Sequence, residues 1–301
     1  MGSGTFDSRQ YRVYATSSTI RADGTAKSTH EVFTQQAIHN LLDPKNITVR
    51  ESCDSEDSPE SRAIIIGLDV TGSMGMIAHS MVKDQLGQLM NGILDNQCIK
   101  HPHLMFMAIG DAACDRSPLQ VSQFEADIRI AQQLTDIYVE GGGGGNDTES
   151  YDLPWYFAAT RTKIDCFDKR NQKGLIFTIG DEMPPNGFTK HQLNSIFGVP
   201  DQVERYTASQ LLDMAREKYD VFHIIVEEGQ YARRAKDRVY NAWTGLLGKR
   251  AIRLNDYKKL SDVIVSVIRV NEGEDPDQVI DSFQDSATKE TVRHALYNNS
   301  Q

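Results

Sequence analysis

Cysteine is scarce in this chain of 301 residues, and Cys53, Cys98, Cys114 and Cys166 stand far apart with no C-x-x-C pair. That spacing is not a zinc pattern, and a chain of this length needs no disulfide staples, so reduced thiols of a cytoplasmic protein are expected. No apolar run reaches the roughly 18 residues of a membrane helix. The opening Met1-Gly2-Ser3-Gly4-Thr5-Phe6 lacks the basic-then-apolar pattern of a secretory signal. It also places Phe6 where N-myristoylation wants Ser or Thr. Basic charge is in deficit: 32 Lys and Arg against 42 Asp and Glu leave a net charge of -10. Because nucleic-acid affinity rests on neutralising phosphates, this argues against a DNA or RNA partner. The densest basic stretch, Arg233, Arg234, Lys236 and Arg238, reads as a solvated helix face. There is no G-x-x-x-x-G-K-[ST], hence no P-loop chemistry.

What is present is a strand–helix alternation. Residues 1–62 are polar and mixed, with one amphipathic helix expected over 30–42, ending near Pro44. The acidic, Ser-rich stretch 51–62 lacks the spacing of an EF-hand loop and reads as a solvated linker. The texture changes at Ala63. Residues 63–68 hold three consecutive isoleucines, as in a strand buried on both faces. Ile77, Met81, Val82, Leu86, Leu89, Met90, Ile93 and Leu94 then recur at helical spacing. Strands are expected at 103–109, 175–179, 221–226 and 252–254, and helices at 124–134, 151–160, 207–218, 230–247 and 257–268. Thr207-Ala208-Ser209-Gln210 resembles a capping box. The alternation predicts an α/β fold, Rossmann-like and doubly wound, with a mostly parallel sheet flanked by helices. We expect this domain over 63–270, preceded by a partly helical extension, 1–62, and followed by a polar tail, 271–301, ending in a helix.

Parallel α/β sheets carry their sites at the carboxyl ends of strands. Three segments that fall there bear oxygen ligands: Asp69-Val70-Thr71-Gly72-Ser73, then Asn146-Asp147-Thr148-Glu149-Ser150 after a run of five glycines, and Gly180-Asp181-Glu182. Carboxylates with hydroxyls suit a hard cation such as Mg2+ or Ca2+. Alternate positions 69, 71 and 73 in a turn can aim three side chains at one point. Asp111 and Asp115, after another strand, either orient the metal loops or form Asx turns. His223, inside an apolar strand, reads as a core residue, and Trp155 and Trp243 as packing residues of helices.

The Asp69-x-Thr71-x-Ser73 motif resembles the D-x-S-x-S of the metal-ion-dependent adhesion site in von Willebrand factor A-type (vWA) domains, with Thr in place of the first Ser. Gly143-Gly144-Gly145-Asn146-Asp147-Thr148-Glu149 is similar to the glycine-rich second loop of intracellular members, without its usual Pro. Thr178-Ile179-Gly180-Asp181-Glu182-Met183-Pro184 matches the third loop more loosely, with Asp181 as the counterpart of its carboxylate. The resemblance spans about residues 63–270. It implies a Mg2+ (or Ca2+ or Mn2+) site at Asp69, Thr71, Ser73 and Asp181, with a ligand from Asn146, Asp147 or Thr148. Asp111, Asp115 and Glu182 would support those loops. It further implies no catalysis but a protein partner whose acidic residue completes the metal. Family members inside cells commonly work with AAA+ ATPases or in multi-protein complexes.

Two other readings compete. Asp69-Val70-Thr71-Gly72-Ser73 also looks like the D-x-T-G-T nucleophile loop of Mg2+-dependent phosphotransferases of the haloacid-dehalogenase superfamily, where Asp69 would form an aspartyl phosphate. That scheme leaves the glycine-rich loop without a role. The third reading is a structural vWA domain with a degenerate site. Asp69 as a mere helix cap would not explain the other two loops.

Overall fold

The computed structural model describes residues 4–140, 148–198 and 202–297, with only the backbone of Ser73. Six strands form the central sheet: β1 (Ser61–Asp69), β2 (His101–Ile109), β3 (Leu119–Val121), β4 (Gly174–Gly180), β5 (Tyr219–Val226) and β6 (Ala251–Leu254). Their order is β6-β5-β4-β1-β2-β3, parallel throughout except for the antiparallel edge strand β3. This is the doubly wound order of a Rossmann-like sheet. Every residue of β1 is buried, because the strand lies between β2 and β4 and is covered on both faces.

The helices used below are α1 (Ser8–Thr19), α2 (residues 75–95), α3 (Arg129–Thr135), α4 (Leu153–Arg161), α5 (Ala208–Lys218), α6 (Gln230–Leu247), α7 (Leu260–Asn271), α8 (Pro276–Asp281) and α9 (Ser286–Tyr297). Side chains alternate along β1 with the period of a strand. Ile64, Ile66 and Leu68 join α1, α2, α3, α7, α8 and α9 in one core. Ala63 and Ile65 join α4, α5 and α6 in the other. The chain therefore forms three layers, and both extensions pack into the first core. Within α2, a π-helical turn, Met81–Gln85, interrupts the α-helical pattern. Such a turn leaves carbonyls poorly used. The Tyr11 hydroxyl of α1 takes up that of Val82 at 2.9 Å. No helix among the described residues is long and apolar enough to cross a membrane.

The N-terminal region departs from expectation. Of the helix expected over 30–42, only Thr29–Val32 is helical. The chain then runs irregularly along the sheet edge, where Leu42 accepts a hydrogen bond from the Val121 amide at 2.8 Å and Arg50 reaches the Val121 carbonyl at 3.1 Å. Covering an exposed strand edge outweighs a local helical period. The segment's helix is instead α1, capped by Asp7, whose carboxylate accepts from the Arg9 and Gln10 amides. Similarly, the helix expected from 124 begins at Arg129, because Glu125 bridges to Leu104 of β2 first.

Candidate functional site

The strand order reverses between β1 and β4, so connections leave in opposite directions there and open a crevice at the carboxyl ends. Asp69 closes β1 at this point and is buried. Its Oδ1 accepts the Thr71 amide at 2.9 Å and the Thr71 hydroxyl at 2.7 Å. The carboxylate thus folds its own turn. With its proton given to Asp69, the Thr71 oxygen retains lone pairs for another acceptor role. The other oxygen, Oδ2, accepts the Tyr151 hydroxyl at 2.9 Å.

Asp181 follows β4 and is also buried. Its Oδ2 accepts the Tyr231 amide at 2.8 Å, in the first turn of α6, where the helix dipole favours a negative charge. Gly229 lets α6 come this close: a Cβ there would lie 2.2 Å from the Asp181 Cβ. The adjoining Glu182 carbonyl is held by the Trp243 indole at 2.8 Å. His223 stacks on Trp243 with ring centroids 3.5 Å apart, and Tyr151 packs edge-on against both. The core roles expected for His223, Trp155 and Trp243 hold, since all three are fully buried.

The segment from Thr148 ties the loops together. Thr148 bridges in parallel to Met183 of the third loop. The Ser150 amide donates to the Gly110 carbonyl, and the Ser150 hydroxyl oxygen accepts the Ala112 amide. Asp111 and Asp115 form the turn expected as one of their two roles. The Asp111 amide donates to Asp115 Oδ2 at 2.7 Å, and the Ala113 amide to Asp111 Oδ1 at 2.8 Å. Both carboxylates also act electrostatically on Glu149.

Glu149 is a residue that sequence reasoning left unassigned. It is 3% exposed, and its Oε2 has no hydrogen-bond partner. Burial raises its pKa strongly, and the charges of Asp69, Glu182, Asp115 and Asp111 add to the rise. Asp69 is raised chiefly by burial and further by Asp181, against the lowering effect of its Thr71 and Tyr151 hydrogen bonds. Asp181 is raised by burial and held back by the α6 amides. The charges acting on Asp69 and Glu149 are those of other carboxylates. Glu149 stood in the polar run after the glycines, which was the available signal. Tyr151 had none, because an aromatic at a helix start reads as packing.

The structure therefore brings Asp69, Thr71, Thr148, Asp181 and Glu182 around one crevice, with the Asp111–Asp115 turn against Glu149. Asn146 and Asp147 lie outside the described residues, and so does the Ser73 side chain. Among the described residues, no three His, Cys, Asp or Glu side chains are grouped so as to hold a metal ion by themselves. A site here would depend on hydroxyls, waters and the 146–148 loop as well as carboxylates.

No family model and no curated protein sequence matches the chain. Among solved structures it is similar to the pilus adhesin SpaC from Lactobacillus rhamnosus GG in its open conformation, with 8% identity and a TM-score of 0.45 over 76% of this chain and 31% of the adhesin. It is also similar to a von Willebrand factor type A protein from Catenulispora acidiphila, with 11% identity and a TM-score of 0.38 over 72% of this chain and 44% of that one. The chain thus spans less than half the length of either.

Proposed function

We propose that this chain is a vWA-type interaction module that holds a divalent cation at Asp69, Thr71, Ser73, Asp181 and the 146–148 loop and uses it to bind an acidic side chain of a partner protein. The observation that carries this reading is the gathering of the buried carboxyl groups of Asp69, Asp181 and Glu149 at the switch point, where Asp181 pushes the pKa of Asp69 up and Asp69 that of Glu149. Like charges buried together are costly unless a cation accompanies them. The donor set, carboxylates and hydroxyls, suits Mg2+ best, with Ca2+ or Mn2+ as alternatives. Such an ion, with a coordination position left open, supplies a Lewis-acidic contact for a carboxylate from outside. Asp69 holds the Thr71 hydroxyl in place for it, and Tyr151 holds Asp69. Engagement of both Asp69 oxygens favours a binding role over the nucleophilic role of a haloacid-dehalogenase-type phosphotransferase.

The test is a metal titration of chelator-stripped protein followed by thermal melting. At a metal concentration of 100 Kd, linkage stabilises by about 2.7 kcal/mol, a melting-temperature rise on the order of 5 °C for a chain this size. No rise, or an equal rise in the Asp69→Ala, Thr71→Ala double variant, refutes the metal site and leaves a structural domain. A pull-down with and without EDTA then asks whether an AAA+ ATPase or another multi-protein assembly is held through the metal. Retention of partners in EDTA would refute metal-mediated contact.

A further inference from the structure

Beside the crevice lies a polar cavity of about 290 Å³ between the 148–152 segment and the 185–188 loop, with Asp111, Glu149, Asp152, Asn186, Gln192 and Arg205 in its wall. It is far larger than the roughly 10–15 Å³ that one water requires. Asp152 is fully buried, yet only one of its oxygens is used: Oδ2 accepts the Gly187 amide at 3.1 Å, and Oδ1 has no partner. An Asp just before Leu153-Pro154 has the sequence signature of a helix cap, but its side chain makes no capping bond to α4. Gly187, whose amide makes that bond, has φ +81°, and a Cβ there would lie 2.0 Å from the Tyr206 carbonyl, so this turn is held to glycine. Glu149, whose Oε2 is also buried and without a partner, is another residue of this wall.

We propose that this cavity takes the guanidinium or ammonium group of a partner's Arg or Lys side chain, next to the position where the partner's acidic residue would meet the metal. The inference extends the interaction reading above, and rests on it for the partner being a protein. A fully buried carboxyl group with an unmade hydrogen bond, in a wall that also carries Asp111 and Glu149, suits a ligand with several N–H donors and a positive charge. The chain's own Arg205 does not fill the role. It is exposed, and its guanidinium donates to the Asn186 carbonyl at 3.4 Å.

The test uses the whole chain labelled with 15N-glycine, kept in EDTA so that the outcome is independent of the metal site. Methylguanidinium should shift the Gly187 amide saturably, while neutral methylurea at the same concentrations should not. Asp152→Asn should weaken the response at least tenfold, and Arg205→Ala should leave it equal or strengthen it. A blocked tripeptide, acetyl-Gly-Arg-Gly-amide, should bind as well as methylguanidinium does. Equal responses to the charged and neutral probes overturn the proposal, and that comparison is made on the wild-type chain, so it does not depend on a variant folding. An undiminished response in Asp152→Asn overturns it too. Binding of methylguanidinium without the peptide would make the cavity a small-molecule site and overturn the partner assignment. Failure here with a normal metal titration refutes the cavity alone, and the reverse result refutes the metal alone.

Discussion

Replacing Asp152 with Asn isolates the energetic consequence of burying a carboxyl group that is only half satisfied. Asn keeps the size and keeps an oxygen for the Gly187 amide, but it cannot ionise. In the folded chain, burial pushes the Asp152 carboxyl up to about 8. In the unfolded chain it titrates near 3.9. The folded state therefore binds the proton more tightly. Its advantage is complete below about pH 4, shrinks as pH rises, and is gone once pH passes through about 8. A difference of about four pH units at about 1.4 kcal/mol each sets an upper limit of about 6 kcal/mol for the cost of ionising Asp152 in place. Urea denaturation of both chains across about pH 5 to 9, in EDTA, measures it. The variant should gain stability relative to wild type by several kcal/mol over that window, the other titrating groups cancelling in the difference. A difference that stays constant within about 1 kcal/mol, against errors of about 10–15% in each extrapolated stability, would refute the reasoning and mean that water reaches Asp152.

Other expectations concern the crevice and the core. Tyr151→Phe removes the hydroxyl that donates to Asp69, at a cost of about 1.5–3 kcal/mol for a hydrogen bond to a charged group. It should also diminish the metal-induced rise in melting temperature, and an unchanged rise would show that Asp69 needs no such support. Gly229→Ala drives a methyl group against Asp181, an overpacking that costs roughly 1–3 kcal/mol. The same titration should show a weaker metal response, and wild-type metal affinity would speak against Asp181 as a ligand. Ile65→Ala, in the middle of β1 and fully buried, should cost about 2–5 kcal/mol in denaturant titration. Its metal affinity should stay within about twofold of wild type, since Ile65 lies four residues, roughly 13 Å, along β1 from Asp69.

The long regular elements were legible because their causes are local. The triple isoleucine of β1 declares a strand buried on both faces, and α6 begins and ends where its periodicity does, at Gln230 and Leu247. Thr207 and Gln210 form the capping box their spacing announces. With the alternation of types, this was enough for the doubly wound sheet, and strand-end placement was enough to put Asp69, Thr71 and Asp181 at its carboxyl-end crevice. Short and edge elements were not legible. The three residues of β3 carry no period, and the 30–42 segment gives up its helical pattern to cover that edge. Nor could spacing show that Glu149 would be buried among four carboxylates, that Tyr151 would reach across 82 positions to Asp69, or that Asp152 would decline its cap and hold a loop 35 residues away. Propensity and periodicity act over one or two turns of chain. Burial, shared charge and unmade hydrogen bonds exist only once distant segments meet, and those are what make this crevice and its neighbouring cavity candidates for binding.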